Sequence, residues 1–237
     1  MNLQIKLDAL ERIYLRFDKY SRALNVACKK YCAHCCTCNL SMTSLEAFYI
    51  YRNLEPRKQA DIRESAARAA SGKRYIPELT WNQMAKMCAE GKEPPEEDPD
   101  PNWGACPLLD NAACPIYECR PFGCRCMLST CDCGQSGCAE IDDYTITVST
   151  VFLQFIEHLD QGGVFGNFSD VLAACGPAAS AAGTGALYPP LSGQAAGSRL
   201  PANQPIPVLL VPPEQQTDIC SLVNDLHAIV APALKPA

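Results

Sequence analysis

The chain has 237 residues, 48% of them apolar, and a net charge of −6. That supports one domain or one domain plus an appendage, and its acidity, with basic residues scattered apart from short groups such as Lys29-Lys30, argues against a nucleic-acid face. No run approaches the ~18 apolar residues of a membrane span, and the charges at Lys6, Asp8, Glu11 and Arg12 rule out a signal-peptide core at the start, so a cytoplasmic protein is expected.

The first segment reads as an amphipathic helix. Leu3, Leu7, Leu10, Tyr14, Phe17 and Leu24 follow a 4-3-4-3 spacing, with Ser21 the one polar interruption. Lys6, Glu11, Arg12, Arg16 and Lys19 fall on the opposite, solvent face. The helix is expected to pack on its own domain and to deliver Cys28 to a site from a rigid arm.

A dense cysteine stretch follows, running from Cys28 through Cys32, Cys35 and Cys36 to Cys38. Thr43-x2-Glu46 is then a capping box. It predicts a helix to about Leu54 that buries Leu45, Phe48 and Tyr49. Pro56 suits the first turn of a helix over 57–70, stopped by Gly72. A third helix, about 80–90, is expected to bury Trp81, Met84, Met87 and Cys88, with Gly91 as its stop. Residues 92–101, rich in Pro and acid, read as an extended solvated connection that returns the chain to the cysteines.

The second stretch holds Cys106, Cys114, Cys119, Cys124, Cys126, Cys131, Cys133 and Cys138, and is too rich in Cys, Pro and Gly for regular structure. Beyond it, Tyr144, Val148, Val151, Phe152, Phe155, Ile156 and Leu159 recur at helical spacing. The β-branched run from Thr145 to Val151 also allows a strand; length and periodicity decide for a helix ended by Gly162-Gly163. A short helix over 169–175 is expected to end at Gly176. Residues 176–213, dominated by Ala, Gly, Ser and Pro, read as a mobile tether. The last helix, over 214–230, has an apolar stripe of Ile219, Leu222, Val223, Leu226 and Ile229. It docks on the domain or takes a protein partner, and docking is the default because a lone helix of this length is unstable in water.

Thirteen of the sixteen cysteines lie in the two dense stretches. Thiolates this dense are metal ligands or disulfides, and a reducing compartment favours metal. Soft sulfur donors select zinc, an iron–sulfur cluster or Cu(I), and each centre takes four ligands. Cys28, Cys32, Cys35 and Cys36 can fill one such shell. Adjacent residues such as Cys35 and Cys36 rarely point at one ion, so a shell completed by the second stretch, or two neighbouring sites, is preferred. Pro107 and Pro115 each follow a cysteine, as in ferredoxin runs, although the ferredoxin spacing itself is absent. His34 is read as a solvent-facing neighbour. Arg120 and Arg125 offset thiolate charge or anchor loops, Tyr117 and Glu118 serve loop packing, and His158 and His227 receive no role. No Ser/His/Asp or Cys/His catalytic pattern is legible.

Cys28-x3-Cys32-x2-Cys35-Cys36 followed by Thr43-x2-Glu46 resembles the first half of the YkgJ-like cysteine-cluster family. Cys106-Pro-Leu-Leu-Asp110 and Cys114-Pro-Ile-Tyr-Glu118-x-Arg120-Pro121-x2-Cys124-Arg125 resemble its second half. The likeness spans about residues 28–126. It implies a zinc- or iron-chelating domain with Cys28, Cys32, Cys35, Cys36, Cys106, Cys114 and Cys124 as the metal ligands. A more distant likeness to flagellin lysine methylases implies a metal-dependent modifying enzyme. Cys38, Cys119, Cys126, Cys131, Cys133 and Cys138 lie outside the family pattern, which leaves room for a second centre. No glycine-rich motif for S-adenosylmethionine is present. Cys28-x3-Cys32-x2-Cys35 matches the radical-enzyme triplet in spacing alone, without βα units around it.

The expectation is a mainly α, loop-rich cysteine-cluster metal-binding domain over 1–175, with helical N- and C-terminal appendages, the latter reached through the tether. It holds an iron–sulfur cluster or clusters in a redox or enzymatic role, with zinc in a structural or chelating module as the alternative.

Overall fold

The computed structural model describes residues 2–97, 99–181, 194–195 and 198–235. The protein is mainly helical. Helix α1 (Leu3–Ser21) is capped by Asn2, whose side chain accepts from the Gln4 amide at 2.8 Å. Leu10, Ile13 and Phe17 on its inner face are almost wholly buried. It ends three residues before Leu24, which is only half-buried beyond it, so Cys28 hangs from an extended segment and not from the helix. Lys6, predicted on the solvent face, is buried. Its ammonium donates to the Gln161 carbonyl at 2.8 Å, and burial lowers its pKa.

Helix α2 (Ser44–Arg52) begins with the predicted capping box, both halves of which form. Asp160 joins this N-terminus, accepting from the Leu45 amide at 3.0 Å and the Ser44 hydroxyl at 2.8 Å. A carboxylate there complements the positive end of the helix. Helix α3 (Pro56–Ala69) starts on proline as expected. Helix α4 (Trp81–Ala89) buries Asn82 and Ala85. Its predicted inner residues Trp81, Met84 and Met87 are only half-buried, and Cys88, read as a core thiol, is exposed.

Two one-turn helices, α5 (Phe122–Arg125) and α6 (Cys133–Ser136), interrupt the second cysteine stretch. Helix α7 (Asp143–Leu159) confirms the helical reading of the β-branched run, with Val148, Val151, Phe152, Phe155 and Leu159 fully buried. Helix α8 (Phe168–Ala181) runs through Gly176, the predicted stop. Ahead of it, strand β2 (Phe165–Asn167) pairs antiparallel with β1 (Ser41–Thr43), matching Ser41 with Asn167 and Thr43 with Phe165. This pair ties the end of the first cysteine stretch to the body. The Asn167 amide donates to the Cys38 carbonyl at 2.8 Å, and the Phe168 N–H to that of Leu40 at 2.8 Å.

The tether prediction for 176–213 fails over 200–213, while 182–193 and 196–197 lie outside the described residues. Leu200 and Asn203 are buried. The extended segment lies along a polar rail on α7. The amides of Gln204, Ile206 and Leu210 donate to Glu157, His158 and Gln154 at 2.8, 3.2 and 2.9 Å. A segment without apolar periodicity can dock this way because its backbone groups, not its side chains, carry the recognition.

Helix α9 (Gln216–Val230) then packs on α1 and α7. Ile219, Leu222 and Leu226 belong to the same core as Phe17 and Phe152, and His227 meets Phe155 edge-on at 4.8 Å. Neither end of the chain is therefore an appendage, since α1 and α9 both build the one core. Leu226 is fully buried, so Leu226→Ala should destabilise the protein by about 2–5 kcal/mol. Thermal unfolding reads this directly, and an unchanged melting temperature would mean that the helix is not docked.

Candidate metal centre

The two cysteine stretches meet through backbone pairing. Thr37 bridges Ala105 in antiparallel fashion, with the Cys38 amide donating to the Gly104 carbonyl at 3.0 Å and the Cys106 amide to the Cys36 carbonyl at 2.8 Å. Gly104 turns the chain here at φ 148°, a region that side chains other than hydrogen rarely allow. The acidic connection leads into this junction, and the Asn39 amide holds the Asp100 carbonyl at 2.8 Å. Most of its described residues are exposed, as expected, and Glu97 ties it to the body by accepting from the Tyr75 hydroxyl and from the Glu78 amide.

A second junction ties Cys28 to the far end of the second stretch. The Ala27 amide donates to the Ser129 carbonyl at 2.8 Å. The Cys28 sulfur accepts from the Ser129 amide at 3.2 Å and lies 3.4 Å from the Met127 carbonyl. Cys114 follows a tight turn in which Asp110 and Ala113 exchange both backbone bonds. Asn111 and Ala112 take positive φ to make that turn, and Tyr31 does the same beside Cys32.

Helix α5 presents Cys124. It is pressed against β1 so closely that a Cβ on Gly123 would stand 2.6 Å from the Leu40 side chain. Glu46 fixes its start. Fully buried, it accepts from the Phe122 amide at 2.7 Å, the Tyr14 hydroxyl at 2.9 Å and the Thr43 amide at 2.8 Å. Burial pushes the Glu46 pKa up against the pull of these donors.

These junctions enclose a cavity of about 590 Å³, and all seven thiols anticipated as ligands line it: Cys28, Cys32, Cys35 and Cys36 from the first stretch, Cys106, Cys114 and Cys124 from the second. All sixteen cysteines are free thiols. Among the described residues no three His, Cys, Asp or Glu side chains already stand close enough to grip one ion. The thiols instead border a space far larger than an ion, since a water molecule occupies about 30 Å³. The donor set is soft and the space can accept a polyatomic group, so the residues fit a thiolate-bound cluster.

The thiols feel one another. Burial pushes Cys28, Cys106 and Cys114 up, and Cys124 well up, with neighbouring thiols adding to the shift at Cys28, Cys106 and Cys124. The adjacent thiols Cys35 and Cys36 act on each other, which raises Cys35 strongly and lowers Cys36. Arg120 faces this group and opposes the rise at Cys35, Cys114 and Cys124. Its guanidinium is held over the Tyr117 ring at 4.0 Å and donates to the Tyr117 carbonyl at 2.7 Å. Arg125 has the other role considered for it. Nearly buried, it donates to the carbonyls of Glu118 and Arg120 at 2.8 and 2.9 Å, and so anchors the loop. Glu118 is exposed and pairs with Lys30.

The remaining cysteines separate by place. Cys119 is buried and Cys126 packs on the core; burial pushes them to about 11 and about 12. Cys131, Cys133 and Cys138 lie in the loop around α6. The Cys38 sulfur stays 3.7 Å from the Lys73 carbonyl. Cys175 is buried in α8 and Cys220 is exposed on α9. His34 is exposed, as expected, and it also abuts α6 so closely that a Cβ on Gly134 would fall 2.7 Å from its Nε2. Nothing in the sequence signalled this contact.

No helix among the described residues is long and apolar enough to cross a membrane. Comparison with protein-family models, with curated proteins and with solved structures returned no match.

Proposed function

We propose that this protein binds an iron–sulfur cluster or clusters through cysteine thiolates and serves a redox or enzymatic role. One observation carries the reading: seven thiols, separated by up to 96 positions (28 to 124) in sequence, line one cavity of about 590 Å³. Thiolates cannot be gathered there without cations to offset them, and Arg120 is the guanidinium that opposes the rise at three of them. The motif likeness to the YkgJ-like family supports the same ligand set. When bound, an iron–sulfur cluster supplies one-electron chemistry, and its potential is set by burial, charge and hydrogen bonds around the sulfurs. Here the chain provides the ligands, the charge of Arg120 and an apolar wall from Leu108, Ile116 and Leu128.

The test is iron, zinc and acid-labile sulfide analysis of anaerobically purified protein. A brown protein with equimolar iron and sulfide supports the reading. Stoichiometric zinc without sulfide replaces it with a structural or chelating zinc module. Protein free of both metals overturns it.

A further inference from the structure

We infer that Cys131 and Cys138 form a thiol–disulfide exchange pair outside the cavity, whose substrate is a disulfide carried by a cationic molecule. The inference stands apart from the metal-binding reading, because neither thiol lines the cavity. The loop that holds them is closed at a neck. The Thr130 amide and hydroxyl both donate to the Glu140 carbonyl, at 2.9 and 3.2 Å, and the Glu140 amide donates to the Ser129 hydroxyl at 3.1 Å. Cys131 and Cys138 therefore stand on facing arms just inside the neck. The Cys131 sulfur lies 3.7 Å from the Cys138 carbonyl, and the Ser136 hydroxyl joins the two, 3.2 Å from that sulfur and 2.7 Å from that carbonyl. A disulfide needs Cα atoms about 4.4–6.8 Å apart, a span that facing arms of one neck can meet. Cys138 is exposed, and the contact its sulfur would give up is a long one, 4.0 Å to the Ser136 carbonyl.

Cys131 is the attacking thiol. The Ser129 and Ser136 hydroxyls stand 3.4 and 3.2 Å from its sulfur. Each also reaches a carbonyl, that of Cys131 at 2.9 Å and that of Cys138 at 2.7 Å, so its one hydrogen can turn to the sulfur when the thiol ionises. The same two contacts lower the Cys131 pKa. They favour the thiolate, which is the nucleophile in exchange. Cys133 is the poorer partner, because a bond between residues two apart closes a ring too tight for relaxed disulfide geometry. Residues 128–143 carry Asp132, Glu140, Asp142 and Asp143 and no Lys or Arg, so the loop draws in a cationic disulfide and repels an anionic one. In the first step the Cys131 thiol gives its proton to water and its sulfur attacks one sulfur of the substrate. The substrate S–S bond breaks, and one half leaves as a thiolate that takes up a proton. Cys138 then loses its proton and attacks the Cys131 sulfur, which releases the other half in the same way. Two protein thiols are oxidised to one disulfide by the loss of two electrons and two protons, and the substrate gains both as two thiols.

The experiment treats the anaerobically prepared, reduced full chain with cystamine, a cationic disulfide, or with glutathione disulfide, an anionic one, and maps the products by peptide mass spectrometry. The expected product is a Cys131–Cys138 cross-link, formed about tenfold faster with cystamine at low salt, the gap closing as salt screens the loop. Cys138→Ser should stop at a mixed disulfide on Cys131, Cys131→Ser should leave Cys138 no more reactive than the exposed Cys220, and Cys133→Ser should still form the cross-link. Metal per chain should be the same in all three variants and the wild type. A cross-link through Cys133, a Cys131 that reacts no faster than Cys220, or equal rates with the two disulfides at low salt overturns the inference. Loss of metal from Cys131→Ser or Cys138→Ser would make these thiols ligands and overturn it too. Metal-free wild-type protein that still forms the cross-link would sink the metal-binding reading alone.

Discussion

Stripping the metal is expected to lower the melting temperature by ~10 °C or more and to open Cys32 and Cys114 to thiol reagents. A structural zinc contributes about 10–16 kcal/mol to a peptide with no core of its own. This protein has a core of its own, to which α1, α2, α7 and α9 all contribute, so the loss should be smaller and local. At about 2–4 °C per kcal/mol for a chain of this size, about half of that range already gives the stated drop. Acid and base should act oppositely on the two forms. Burial raises the thiols of Cys106, Cys114 and Cys124, so at neutral pH the metal-free protein holds them protonated, and metal must displace those protons. Loading is therefore lost as pH falls. The metal-free protein fails at the other end. A thiol raised on folding contributes stability that is complete below its unfolded value, roughly 8.5, and disappears as pH climbs through the folded value, about 11 for Cys119 and about 12 for Cys126. Melting curves across pH for both forms check this. Identical profiles and identical thiol reactivity would count against a metal-supported site.

Local signals were legible in the sequence, and long-range ones were not. The Thr43–Glu46 box and the proline start of α3 depend on neighbours within a turn, and both helices begin where those residues dictate. Helix α7 is long enough for its period to outweigh β-branching. The β1–β2 pair is invisible because three residues carry no period. Lys6 defied its face because the Gln161 carbonyl, 155 residues away, accepts its ammonium. The segment over 200–213 looked like a tether because its docking uses backbone amides, while the side chains that receive them, Gln154, Glu157 and His158, belong to α7. The seven thiols were nameable from motif alone. That they surround one cavity depends on the Thr37–Ala105 bridge and on Gly104, neither of which has a spacing rule.

Glu46→Gln should cost about 3 kcal/mol of stability and, in addition, reduce metal occupancy. The two Glu46 oxygens receive four donors. One takes the Tyr14 hydroxyl and the Phe122 amide, and the other takes the Thr43 amide at 2.8 Å and the Thr43 hydroxyl at 3.0 Å. A glutamine can offer its oxygen to only one pair, so its NH₂ group must face a backbone N–H at the other. A buried donor left unmatched costs about 1–3 kcal/mol, and the lost hydrogen bonds to a charged acceptor raise the total toward the upper end. If the oxygen stays with Thr43, the Phe122 amide is released two residues before Cys124. If it stays with Phe122, the cap of α2 and the end of β1 loosen, and with them the body on which α5 rests. Glu157→Gln is the control. Glu157 is also buried and also accepts two backbone amides, those of Asn82 and Gln204 at 2.8 Å. Neither partner belongs to a cysteine loop, so that variant should melt earlier with metal content unchanged. The two variants are compared by melting temperature and by metal per folded chain. Equal metal in both would reduce Glu46 to a cap, whereas a selective loss in Glu46→Gln would make it the residue through which the core positions Cys124.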